Sequence, residues 1–162
     1  MVDFEALGVA VNALSCALCS GAIGGVVNFL IAPLFGALHI TTACGVDIAP
    51  PLLKEDLYAK VFWGGVWGVI FLEPLLRRVV PQAWVRALLY GLLPSLVQIF
   101  LVFPLTTEFG IGGVGLGAAT PVFVLVFNTL GWSLPSLGWL LMTGVESTSS
   151  EDENTWTNPL LG

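Results

Sequence analysis

The chain has 162 residues, of which 56% are hydrophobic and 10% charged, with a mean hydropathy of +0.92, a composition that excludes an ordinary water-soluble globular domain. Its formal net charge is −6 with only five Lys and Arg, which excludes a nucleic-acid footprint; four of the eleven acids, Glu146, Glu151, Asp152 and Glu153, sit in the tail. Three cysteines, Cys16, Cys19 and Cys44, are an odd count, and two of them fall inside an apolar stretch, so no secreted disulfide framework is implied.

The first apolar stretch runs uncharged from Leu7 to Leu38, longer than a ~30 Å hydrocarbon core needs. Pro33 is the expected place for a break, giving a span over about 7–30 and a kinked or interfacial continuation to His39. Asp3 and Glu5 precede the stretch with no basic residue, so it is expected to be a retained helix and not a cleaved signal. From Ile40 to Ala59, with Asp47, Pro50, Pro51, Lys54, Glu55 and Asp56, the composition predicts an extramembrane loop, with a short surface turn at its end.

A second span is expected over about 60–76, with Phe62, Trp63 and Trp67 as an aromatic belt and Arg77 and Arg78 closing it. After Pro81 a third follows over about 84–105, bent at Pro94. A glycine-rich connection leads to a fourth over about 118–142, interrupted by Pro121 and Pro135. Residues 146–162 are acidic and rich in Ser and Thr, predicting disorder. The expected fold is therefore an all-α integral membrane protein, a bundle of about four transmembrane helices in residues 1–145 followed by a disordered acidic tail. Arg77, Arg78 and Arg86 border one turn, against Lys54 and Lys60 on the opposite face, so both termini are expected in the cytoplasm.

Few residues offer chemistry. Cys16 and Cys19 form a C-x-x-C pair, but in mid-helix among apolar neighbours they are expected to pack instead of exchanging disulfides. The run Gly110–Gly115 matches G-x-G-x-x-G without the strand and helix that give this motif its phosphate-binding geometry. Glu73 is the one acid well inside a predicted span. It suits either a proton or ion path or an ion pair with Arg77 four residues on. Gln98 and Asn128 are candidates to line such a path with it. Gly21, Gly25, Gly64 and Gly68, together with Asn12, Ser15, Ser20, Asn28, Ser95 and Thr120, are the small and hydrogen-bonding residues that let membrane helices approach closely.

His39, the sole histidine, offers at most a single ligand to a pigment or haem; no cofactor or metal is expected, and no catalytic constellation is legible. These features lead to a non-catalytic subunit or assembly factor of a larger membrane complex, contacting lipid and other membrane proteins or itself. The rival expectation is a small oligomeric transporter or channel using Glu73, Gln98 and Asn128.

Overall fold

The computed structural model describes residues 4–144, and among these the chain is entirely helical and turn, with no strand. The helices are α1 (Phe4–Ala37), α2 (Ile40–Ala43), α3 (Lys54–Gly68), α4 (Pro74–Val79), α5 (Ala83–Val97), α6 (Phe103–Thr106), α7 (Thr120–Val126) and α8 (Leu134–Met142). A 3₁₀ turn, Val69–Leu72, extends α3. π-Helical segments join α5 to α6 (Gln98–Val102) and α7 to α8 (Phe127–Ser133). Three continuous helices, Phe4–Ala37, Ala83–Thr106 and Thr120–Met142, are thus long and apolar enough to cross a membrane. The acidic segment 146–162 lies outside the described residues.

Helix α1 carries Pro33 inside it and continues to Ala37 as one helix of 34 residues, so the continuation expected beyond residue 30 is helical. Proline costs the helix one backbone hydrogen bond. A full break would release several backbone groups at once, where the proline removes only one bond. The helix ends instead at His39, whose φ of 58° is left-handed, a conformation in which histidine is enriched at helix termini.

The second expected span is divided differently from the 60–76 stretch predicted. Helix α3 begins earlier, at Lys54, with Glu55 and Asp56 in its first turn, where carboxylates oppose the positive end of the helix dipole. It does not reach Leu76, because Glu73 turns extended at φ −66°, ψ 118°, as the residue before a proline tends to do. Both oxygens of Glu73 then accept backbone N–H groups of the next helix, Leu75 at 2.6 Å and Leu76 at 2.8 Å.

The prolines of the last two long helices produce π turns. Each π segment stops just before a short helix whose second residue is proline, Pro104 in one case and Pro135 in the other. A proline cannot donate to the carbonyl one turn back, and its ring collides with that carbonyl. An extra residue in the preceding turn relieves the collision without ending the helix.

Helix α1 is the hub. On one side it packs antiparallel to α3 through glycine. A methyl on Gly21 would fall against the Gly64 carbonyl and lie 2.7 Å from Gly68 Cα, and one on Gly64 would lie 2.6 Å from the Gly21 carbonyl oxygen. Gly25 is equally tight against the Lys60 carbonyl, and Gly68 against that of Ala17. On another side α1 meets Phe127–Ser133 and α8.

Two apolar clusters close the ends of the bundle. At the end carrying the 38–53 loop, Val46, Phe123 and Phe127 pack with Ile31 and Phe35. The Asp47 N–H donates to the Leu116 carbonyl at 2.7 Å, joining that loop to the glycine-rich connection. At the other end Phe71, Ala87, Tyr90, Trp132, Leu137 and Leu140 form the second cluster, with Phe71 stacked on Trp132 at 5.3 Å.

Candidate functional site

Between the two apolar clusters lies a layer of side-chain amides. It is built where the two π segments face α1. Asn28 (4% exposed), Asn128 (7%) and Ser95 (2%) are buried in it, and Gln98 is half-buried at its edge. Asn28 Nδ2 donates to the Phe127 carbonyl at 2.8 Å and to Asn128 Oδ1 at 3.3 Å. Asn128 Nδ2 in turn donates to Ser95 Oγ and to Gln98 Oε1, both at 3.2 Å. The Ser95 hydroxyl in turn donates to the Gly91 carbonyl at 2.7 Å.

Three separate stretches of chain are tied together by this network, and backbone contact allows it. A methyl on Gly91 would lie 2.9 Å from Thr129 Cα, and one on Gly131 would lie 3.2 Å from Asn28 Cα. At Gly91 only hydrogen fits and at Gly131 a methyl would be tight, so the helices come close enough for the amides to reach one another. The groups paired within this network avoid the desolvation penalty of about 1–3 kcal/mol that each would carry if orphaned.

Beside the amide layer opens a cavity of about 570 Å³. Its walls are α1 (Gly25, Asn28, Phe29, Ala32, Pro33), α3 (Asp56, Ala59, Lys60, Trp63, Gly64, Trp67), the 48–51 loop and the two π-containing helices (Pro94, Val97, Gln98, Val124, Phe127, Asn128, Trp132). Trp132 spans two of these walls, its Nε1–H shared between the carbonyls of Gly21 and Gly64 at 3.2 Å each. Most of the lining is apolar and aromatic, with the amides of Asn28, Gln98 and Asn128 and the charges of Lys60 and Asp56 as its polar groups. Apolar walls with a few convergent polar groups, at this volume, are the usual anatomy of a small-molecule site.

The candidate path residues separate. Gln98 and Asn128 are hydrogen-bonded to each other and both line the cavity. Glu73 is the N-cap of α4 and faces a shallow apolar depression with Ile70, Leu75, Leu76, Val79, Leu89 and Tyr90. His39 is exposed beyond the end of α1, its carbonyl accepting from Thr42 Oγ1 at 3.1 Å. Cys16 is half-buried against the Phe71 and Trp132 cluster, Cys19 is exposed, and both thiols are unbridged. Among the described residues no group of three His, Cys, Asp or Glu side chains is placed to hold a metal. Gly21, Gly25, Gly64 and Gly68 meet in one seam.

Sequence reasoning passed over the roles of Lys60, Asp56 and Trp132 at this cavity. One signal was present: Leu-Pro-Ser-Leu occurs twice, at 93–96 and 134–137. In both copies the serine is buried and donates to the carbonyl four residues back, Ser95 to Gly91 and Ser136 to Trp132, each at 2.7 Å. Comparison of the chain with protein-family models, curated proteins and solved structures finds no match.

Proposed function

We propose that this chain is a four-pass integral membrane protein that binds a small, mainly apolar molecule in the cavity between α1, α3 and the two π-containing helices. The observation that carries the proposal is the cavity itself, an aromatic pocket of about 570 Å³ edged by three amides. Three passes are the long apolar helices. For the fourth, α3 and its 3₁₀ extension over 54–72 amount to roughly 28 Å at helical rise, close to the ~30 Å hydrocarbon thickness. Their antiparallel seam with α1 supports a return across the same layer.

Tryptophan fluorescence tests the binding, because Trp63, Trp67 and Trp132 all line the cavity. With the purified protein in nanodiscs, a brominated apolar molecule is expected to quench saturably. The variant Ala32→Phe, which places a ring in the cavity, is expected to abolish the saturable part. Linear quenching that is the same in both proteins is mere partition into lipid and sinks the proposal.

The four-pass arrangement, with termini and the arginine turn inside, has its own test. Cys44 is exposed near the 38–53 loop and is expected to react with a membrane-impermeant maleimide from outside the cell. A cysteine at Gln82→Cys, in a chain otherwise lacking cysteine, is expected to react only after permeabilisation. Labelling of both from one side would remove the fourth pass.

A second reading, a subunit working beside other membrane proteins, is favoured by α1 alone. Residues 4–12 are exposed, and 34 helical residues amount to about 51 Å, well beyond the hydrocarbon thickness. Migration as one defined larger assembly on a native gel after mild extraction supports that reading; migration as a lone species removes it.

A further inference from the structure

The amide network fixes its own polarity, and the residues at its two ends, Asn28 and Gln98, line the cavity. The carbonyl of Phe127 can only accept, so the atom of Asn28 that approaches it at 2.8 Å is the amide nitrogen. The same nitrogen then faces Asn128 at 3.3 Å, which must present its oxygen. Asn128 therefore turns its nitrogen to Ser95 and to Gln98, and Gln98 must answer with its oxygen at 3.2 Å. One backbone carbonyl thus sets the orientation of three side chains.

What remains is an acceptor at one end, Asn28 Oδ1, and a donor at the other, Gln98 Nε2. Neither has a hydrogen-bond partner among the described residues, and neither is sealed in the protein. Both residues line the cavity, with the single amide of Asn128 between them. Asn28 is itself more than nine-tenths buried and lines this space.

Resting on the reading that the cavity binds an apolar molecule, we infer that the molecule carries an uncharged head that both accepts and donates a hydrogen bond, such as a hydroxyl or a carboxamide. The head accepts from Gln98 Nε2 and donates to Asn28 Oδ1, completing a network that otherwise ends on two unpaired groups. A head with only one of these functions leaves one end unmet. A carboxylate has no proton for Asn28, and a quaternary ammonium has neither a proton nor a lone pair. At the amide layer either charge would also give up water for neutral dipoles. Lys60 and Asp56, one helical turn apart on α3, line the same cavity with opposite formal charges. They add no net charge to favour an ion.

The test uses the protein in nanodiscs and a brominated alkyl chain of one length, carrying in turn a primary alcohol, a carboxamide, a carboxylate, a trimethylammonium group or no head. The readout is saturable quenching of tryptophan fluorescence, corrected with Ala32→Phe for partition into lipid. Alcohol and carboxamide are expected to half-saturate at concentrations at least tenfold lower than the other three. In Gln98→Met, which removes the donor at the outer end of the network, that preference is expected to collapse, with alcohol and headless chain half-saturating at similar concentrations. Equal half-saturation for all five heads, or tightest binding of a charged one, overturns the inference and leaves the cavity a binding site. Absence of saturable quenching by any probe overturns both. The head series on the unaltered protein decides the matter even if Gln98→Met fails to fold.

Discussion

Along one strip of α1, Ala17, Gly21 and Gly25 let α3 approach until backbone meets backbone. On the neighbouring strip Ser20, Gly24 and Asn28 face the last helix, and the contact ends in an amide instead of a methyl or a hydrogen atom. In the first seam backbone touches backbone, and its glycines Gly25 and Gly64 border the cavity without a polar side chain. The second starts as tightly, since a methyl on Gly24 would also collide with the Trp132 carbonyl, but it opens at Asn28 into the cavity. Small residues hold helices together by dispersion over close backbone contact, and they specify nothing about what sits between them. Amides hold helices at a set distance and in a set direction, and leave polar ends that a ligand can use.

The largest break in this comparison comes from filling the glycine seam. Gly21→Leu has no side chain to push aside, only the backbone of Gly64 and Gly68, so a loss of about 3 kcal/mol or more is expected from overpacking. Equilibrium unfolding in mixed detergent micelles would register it, and a loss below about 1 kcal/mol would mean the seam is looser than described.

Asn128→Leu attacks the other seam. It removes the central amide, which bonds Asn28, Ser95 and Gln98, and is expected to cost about 1–3 kcal/mol, the penalty of leaving buried partners unmet. The same variant is expected to bind the alcohol and the headless probe equally. Retained head preference would show that the amide layer does not select the ligand.

Trp132→Phe falls between the two regions, because the indole bonds carbonyls of the glycine seam while lining the cavity. The stack on Phe71 is kept and one shared hydrogen bond is lost, so about 1 kcal/mol is expected in the same unfolding measurement. Gly8→Ala gives the smallest effect and the opposite sign. A methyl there meets nothing within 4 Å, and alanine is the better helix former by about 1 kcal/mol in a helix interior, so a slight stabilisation is expected. If Gly8→Ala destabilised as Gly21→Leu is expected to, glycine content and not position would explain the seam.

Much of the fold was legible because hydropathy is a local quantity. Helices near 7–30, 84–105 and 118–142 follow from runs of apolar residues whose backbone must bond to itself. The boundaries were less legible, for they depend on single residues. Pro33 looks like a stop and is tolerated, whereas His39 and Glu73 look like chemistry and end or start helices. Of the candidate path, Gln98 and Asn128 were visible as polar residues in apolar runs, but nothing local set them apart from Glu73, whose carboxylate is occupied by backbone N–H groups.

By itself the sequence determined the helical class, the apolar surface and the small-residue strips, all of which follow from composition and from the 3.6-residue period of the helix. Only the tertiary structure decided that Asn28 meets Asn128 across 100 residues of chain, that two π segments converge on them, and that the space beside them stays open. Those outcomes depend on where prolines far apart in sequence displace carbonyls in three dimensions, and on which helix crossings are narrow enough for amides to touch. No periodicity carries that information, because it belongs to pairs of distant residues and not to any one stretch.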